Sequence, residues 1–144
     1  MVLGSLFRSV AYSLHSTGRF KAGVQLVEAA ASVLQPQIGA RSEDALISVY
    51  GTQFLTGAVA AARTEDRPSA TAFLTEAQES ASQLGKDSNA MWTAFGPTNV
   101  AIHRMTAAIE LGDVQVAVDL APRIDASELH TERRVRHAIE TARA

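Results

Sequence analysis

The chain contains no cysteine, which excludes a disulfide framework and any thiolate chemistry. That absence fits a reducing compartment, and a cytoplasmic location is the expectation. Aromatic residues make up only 6% of the chain. The apolar surface is therefore mostly small side chains, which let helices approach closely. There is no basic excess: the formal net charge is -2 and the isoelectric point lies near 6.1. Nothing global attracts nucleic acid or anionic lipid. No stretch reads as the roughly 20 apolar residues of a membrane span. The apolar start, residues 1–14, has Arg8 inside the run and no basic segment ahead of it, so it reads poorly as a signal peptide. Neither nucleic acid nor a membrane is expected as a partner.

The catalytic templates are missing as well. The sequence has no HExxH, GxSxG, GxGxxG or phosphate-loop pattern. Histidine occurs at 15, 103, 130 and 137, and the nearest pair, His130 and His137, has no carboxylate at metal-ligand spacing. No enzyme, cofactor or metal is expected.

What the sequence does contain is an internal repeat. At 144 residues, 47% hydrophobic, the chain suits one domain, residues 1–144. Segments starting at Phe7, Phe54 and Ala101 align without gaps at a period of 47 residues. The columns Ala11/Ala58/Met105, Gly23/Ala70/Ala117, Leu26/Phe73/Leu120 and Ala30/Ala77/Ile124 are all small or apolar. Within each segment apolar positions recur three and four apart on both sides of a short polar turn, at Gly18-Arg19, Glu65-Asp66 and Gly112-Asp113. Each unit reads as a helical hairpin. The glycines suit a left-handed helix end, and Asp66 and Asp113 suit the cap of the next helix. The expected architecture is all-α, about seven helices: hairpins over about 4–34, 42–85 and 88–125 and a terminal helix over about 131–143.

One stretch resists the pattern. The segment from Trp92 to Asp113 carries Gly96-Pro97 inside helix-favouring sequence, and Gly51 sits at nearly the same register in the preceding unit. The first helices of the second and third hairpins, starting near Ser42 and Ser88, are expected to run about 20 residues, with a sharp kink or short break at Gly96-Pro97 and a milder irregularity at Gly51.

The stretch MWTAFGPTNVAIHRMTAAIELGD, Met91 to Asp113, followed by ERR at Glu132 to Arg134, resembles the tetratricopeptide-like (TPR-like) helical region of actinobacterial helix-turn-helix transcriptional regulators. The looser element GRFKAG, before an alanine-rich helix, points the same way. The resemblance implies antiparallel hairpin repeats stacked as a right-handed α-solenoid. It also implies a sensing or docking role in transcriptional regulation, with a protein or peptide partner or a small signalling ligand. The chain has no helix-turn-helix segment and no basic recognition helix, so DNA binding is not carried over.

In such a stack the first helices line a concave face. The register puts Arg8 and Tyr12, with Ser5 and His15, on that face. Thr52, Leu55, Val59 and Arg63 follow from the second hairpin, and Asn99, Ile102 and Thr106, with Glu110, from the third. Arg8 and Arg63 suit a carboxylate or phosphate, Asn99 a peptide backbone, and Leu55, Val59 and Ile102 an apolar floor. Trp92, Phe95 and His103 flank the break, where two readings stand: an aromatic-walled pocket, or aromatics that fill the space at the kink while His103 satisfies a freed carbonyl. Asn99 equally suits the cap of the helix that restarts after Pro97. The basic run from Glu132 to His137 reads as a solvated helix face. A ligand-binding or docking module is the leading expectation, and a homodimerising structural module is the alternative.

The register itself makes a prediction. Ala117 occupies the small-residue column at the closest helix approach in the third hairpin, so Ala117→Leu should cost about 1 to 3 kcal/mol by overpacking. Unchanged thermal melting of the Leu variant would contradict the alignment.

Overall fold

A computed structural model describes residues 2–127, 129 and 131–143. Those residues form seven α-helices and no strand: α1 Val2–Ser16, α2 Phe20–Leu34, α3 Asp44–Arg63, α4 Arg67–Leu84, α5 Pro97–Glu110, α6 Val114–Leu120 and α7 Thr131–Arg143. The chain is all-α. Consecutive helices pair as α1 with α2, α3 with α4 and α5 with α6, and α3 also packs on α1, α2 and α5. Helix α7 packs on α5.

Helix α3 is the centre. It is apolar or small on nearly every side and buries an almost continuous run from Ile47 to Ala62. Such a helix belongs inside a core rather than on its surface. By length and composition α3 could also cross a membrane, contrary to the expectation that no such stretch exists, but its residues are mostly buried against the other helices. The flanking helices are one-sided. Helix α2 buries Gly23, Val27, Ala30 and Leu34, and α4 buries Ala70, Phe73, Ala77, Ala81 and Leu84, each at spacings of three and four. Small residues set the approach distances. A Cβ on Gly4 of α1 would lie 2.4 Å from Val49 of α3, and the Gly4 carbonyl accepts a bond from the buried Gln53 amide at 2.9 Å.

The three turns share a spacing and a backbone conformation. Gly18, Glu65 and Gly112, each 47 residues from the next, all hold left-handed backbone, with φ of 73°, 59° and 76°. Glutamate thus takes in the second turn the conformation that glycine takes in the other two. Asp66 caps α4 by accepting from the Ser69 N–H at 3.1 Å. Asp113 does not cap α6; its carboxylate is bound by both guanidinium nitrogens of Arg67 from the preceding turn. Ser42 does not cap α3 either. Its hydroxyl accepts from the Gly39 N–H at 2.8 Å, and the helix starts behind Glu43.

The largest correction concerns the first helix of the third unit. Instead of a long kinked helix there is a folded-back segment, with a single helical turn at Ala90–Trp92, and α5 begins at Pro97. Gly96 lies against the backbone of Lys86 and Asp87, where a Cβ would come within 2.5 Å of the Asp87 Cα. Pro97 starts the helix without needing a donor. The Asp87 carboxylate takes over the capping by accepting from the Thr98 N–H at 3.0 Å and the Thr98 hydroxyl at 2.5 Å. Ser88 pairs with Phe95 across the base of the segment, N–H to carbonyl at 2.9 Å. Gly51 does not interrupt the helix, and α3 is continuous through it. The reason for Gly51 is the Phe95 ring: a Cβ there would lie 2.1 Å from its Cζ.

This contact predicts a reversal of sign. Gly51→Ala should cost about 1 to 3 kcal/mol, since the buried ring must shift. In a Phe95→Ala background the clash is gone, and the same change should be neutral or stabilising by up to about 1 kcal/mol, because alanine is the better helix former. Urea denaturation of the four proteins of this double-mutant cycle measures the coupling, and additive effects would refute the proposed packing.

Candidate functional site

Helices α1, α3, α5 and α7 line an open-mouthed cavity of about 610 Å³. Each contributes one face at helical spacing: Arg8, Tyr12 and His15 from α1, Thr52, Leu55, Val59 and Arg63 from α3, and Asn99, Ile102, His103 and Thr106 from α5. Trp92 stands at the rim and is 81% exposed. Among the residues singled out in the sequence, Phe95 lies outside the cavity; it is buried in the main core against Gly51. Of the two readings at the break, the wall formed by Trp92 and Phe95 together does not occur: Phe95 is buried and Trp92 is exposed. Ser5 is not among the lining residues, and Glu110 acts behind the wall.

The wall from α7 was not foreseen. Glu132, Arg133, Arg136 and Glu140 line the cavity, and Arg133 is half-buried rather than solvated. Their spacing of one, four and eight residues after Glu132 marks one helix face, a signal present in the sequence. The apolar positions Val135 and Ile139 point outward and are exposed. A groove already lined with Ser9, Tyr12, Ser13 and Thr106 is polar, and the charged face of α7 matches it better than the apolar one does. His130 lies outside the described residues.

The floor combines apolar and polar groups. Leu55, Val59, Ile102 and Asn99 are buried. Asn99 sits inside the first turn of α5, does not cap it, and leaves its side-chain oxygen without a hydrogen-bond partner. His103 Nδ1 lies 2.9 Å from the Asn99 carbonyl. A carbonyl only accepts, so Nδ1 carries the proton and donates. Burial pulls His103 down to about 4; the bond to the Asn99 carbonyl opposes this, and the positive charges of Arg133 and Arg136 add to it.

A polar clip closes one end. Arg63 donates to His15 Nε2 at 2.9 Å and to Glu110 at 3.1 Å, and its guanidinium stands 5.3 Å from the Phe20 ring centre. His15 is held below its ordinary value by burial first and then by the Arg63 charge. Burial likewise lowers Arg133; Glu132 opposes this, and the like charges of Arg136 and Arg8 add to it.

The segment that carries Trp92 is strained. Met91, Trp92 and Ala94 hold left-handed φ values of 52°, 56° and 47°, each at a cost on the order of 1 kcal/mol or more. Local bonds hold them there: the Ala94 N–H donates to Asn89 Oδ1 at 3.1 Å, and the Thr93 hydroxyl donates to the Ala90 carbonyl at 2.8 Å. The consequence is an exposed indole beside the cavity and a buried phenyl three residues later.

No family model, curated protein or solved structure matches the chain. The site is therefore read from its own chemistry.

The depressed His103 makes stability depend on pH. The folded state keeps His103 neutral while the unfolded state takes up a proton near 6.5. Its contribution is therefore fully present above 6.5 and is lost as pH falls toward about 4, with a slope of at most about 1.4 kcal/mol per pH unit. His15 acts in the same direction. Urea midpoints between neutral pH and the lower end of that window should fall less steeply for His103→Gln than for the wild type. Parallel profiles would show that His103 titrates normally.

Proposed function

We propose that the chain is a non-enzymatic, TPR-like interaction or sensor module that binds a small signalling ligand or a peptide in the cavity between α1, α3, α5 and α7. The observation that carries this reading is convergence: four helices from separate parts of the chain each turn one polar-and-apolar face into a single cavity. Its lining includes a buried asparagine whose side-chain oxygen has no partner, together with arginines from α1, α3 and α7. The 47-residue spacing of the turns and the packing of α1, α3 and α5 side by side support a solenoid-like stack. The resemblance to the helical region of actinobacterial regulators favours a role in transcriptional regulation, with DNA contact left to another module.

Self-association is the second reading. It is favoured by the exposed apolar residues Leu3 and Leu6 on α1 and Val135 and Ile139 on α7.

Sizing over a concentration series, combined with fluorescence of Trp92, the sole tryptophan, separates the two. The binding module should remain a monomer, and its emission should respond to a metabolite or peptide fraction. Thr106→Phe, which puts a ring into the cavity, should abolish that response. A concentration-dependent dimer whose emission ignores every fraction would favour self-association instead.

A further inference from the structure

The cavity differs in charge from the chain around it. Arg63 is paired with Glu110 at 3.1 Å, which leaves Arg8, Arg133 and Arg136 facing Glu132 and Glu140 among the lining residues. The excess is one positive charge, in a protein whose net charge is -2. The other ion pairs among the described residues, Arg67 with Asp113 and Lys86 with Asp44, lie elsewhere, and none engages Arg8, Arg133 or Arg136. Arg8 and Arg133 are half-buried and Arg136 is exposed; like charges drawn together are costly until an anion joins them. Beneath them lie the apolar floor of Leu55, Val59 and Ile102 and the buried Asn99 oxygen, which lacks a donor.

We propose that the cavity takes an amphipathic organic monoanion of the N-acyl amino acid type. Its carboxylate meets Arg8, Arg133 and Arg136, its amide N–H satisfies Asn99, and its acyl body covers the floor. This rests on reading the cavity as a ligand site. A single excess charge suits one carboxylate rather than a polyphosphate or a strongly acidic peptide. The volume of about 610 Å³ falls inside the roughly 300 to 1,000 Å³ typical of small-molecule sites. Because two of the three arginines belong to α7, the acid group also bridges α7 to α1, and binding should tighten the terminal helix. Burial holds Arg133 below its ordinary value, Glu132 opposes this, and the like charges of Arg136 and Arg8 add to it, as expected of arginines gathered around one cavity.

The test uses N-decanoylglycine and its near-isosteric neutral amide, N-decanoylglycinamide, titrated calorimetrically and by Trp92 emission. The acid should bind about tenfold or more tighter than the amide, the ratio expected of a charge-assisted hydrogen bond. The double change Arg133→Ala with Arg136→Ala lies on exposed or half-buried positions of α7. It should erase that preference while circular dichroism stays unchanged. Asn99→Ala should weaken both compounds. Equal binding of acid and amide to the wild type would overturn the acid class and leave the cavity a ligand site. Absence of binding by both would overturn the class whatever an extract fraction does to Trp92. Triglutamate binding more tightly than the acyl acid would overturn it in favour of an acidic peptide.

Discussion

The Phe95 ring seated on Gly51 is the contact on which the rest of the arrangement depends. A side chain at position 51 would occupy the space of the ring. Glycine is therefore present not to bend α3 but to leave a socket in its side, the close-approach use of the residue at some cost in helix propensity. With the ring in the socket, the segment from Ser88 to Phe95 must fold back. Asp87 then comes to the first turn of α5, and α5 starts where proline is tolerated. The position of α5 decides where Asn99, Ile102 and His103 stand, so the cavity floor is set by a packing event on its far side.

Electrostatics adds registration rather than bulk stability. The His15–Arg63–Glu110 clip and the Arg67–Asp113 pair join residues 46 to 48 positions apart, close to one repeat, so each ties one unit to the next. The arginine heads are partly exposed, and solvent screening keeps pairs of this kind worth little individually. Their effect is to hold neighbouring turns in line while the alanine-rich interfaces set the distance. The contrast within the cavity follows from this. Arg63 is paired within its clip, whereas Arg8 of α1 and Arg133 and Arg136 of α7 line the cavity outside the ion pairs seen among the described residues.

Periodicity made much of the site legible in advance. Groove positions on α1, α3 and α5 follow from a 47-residue register and from the rule that residues three and four apart share a helix face. What periodicity cannot give is the partner of a face. Phe95 lies on the same register as the cavity residues, but an aromatic side chain goes where a socket of its size exists, and that socket belongs to another helix. The face of α7 escaped for a related reason. Its apolar stripe is narrow, with Val135 and Ile139 as its large members, and the neighbouring groove is polar, so hydrophobic patterning chose the wrong side.

The sequence by itself determined the helices and the 47-residue spacing of three turns, because left-handed turn ends, capping residues and apolar spacing are local properties of the chain. It also determined that Gly96-Pro97 interrupts a helix, since proline acts on its own backbone. Tertiary structure alone decided that the interruption would be a folded-back segment, that Phe95 would be core while Trp92 stays exposed, and that α7 would close the groove with its charged face. Those outcomes depend on which surfaces meet across long stretches of chain. Close packing rather than propensity settles that choice, because a buried ring must find a space of its own shape and a desolvated charge must find a polar neighbour.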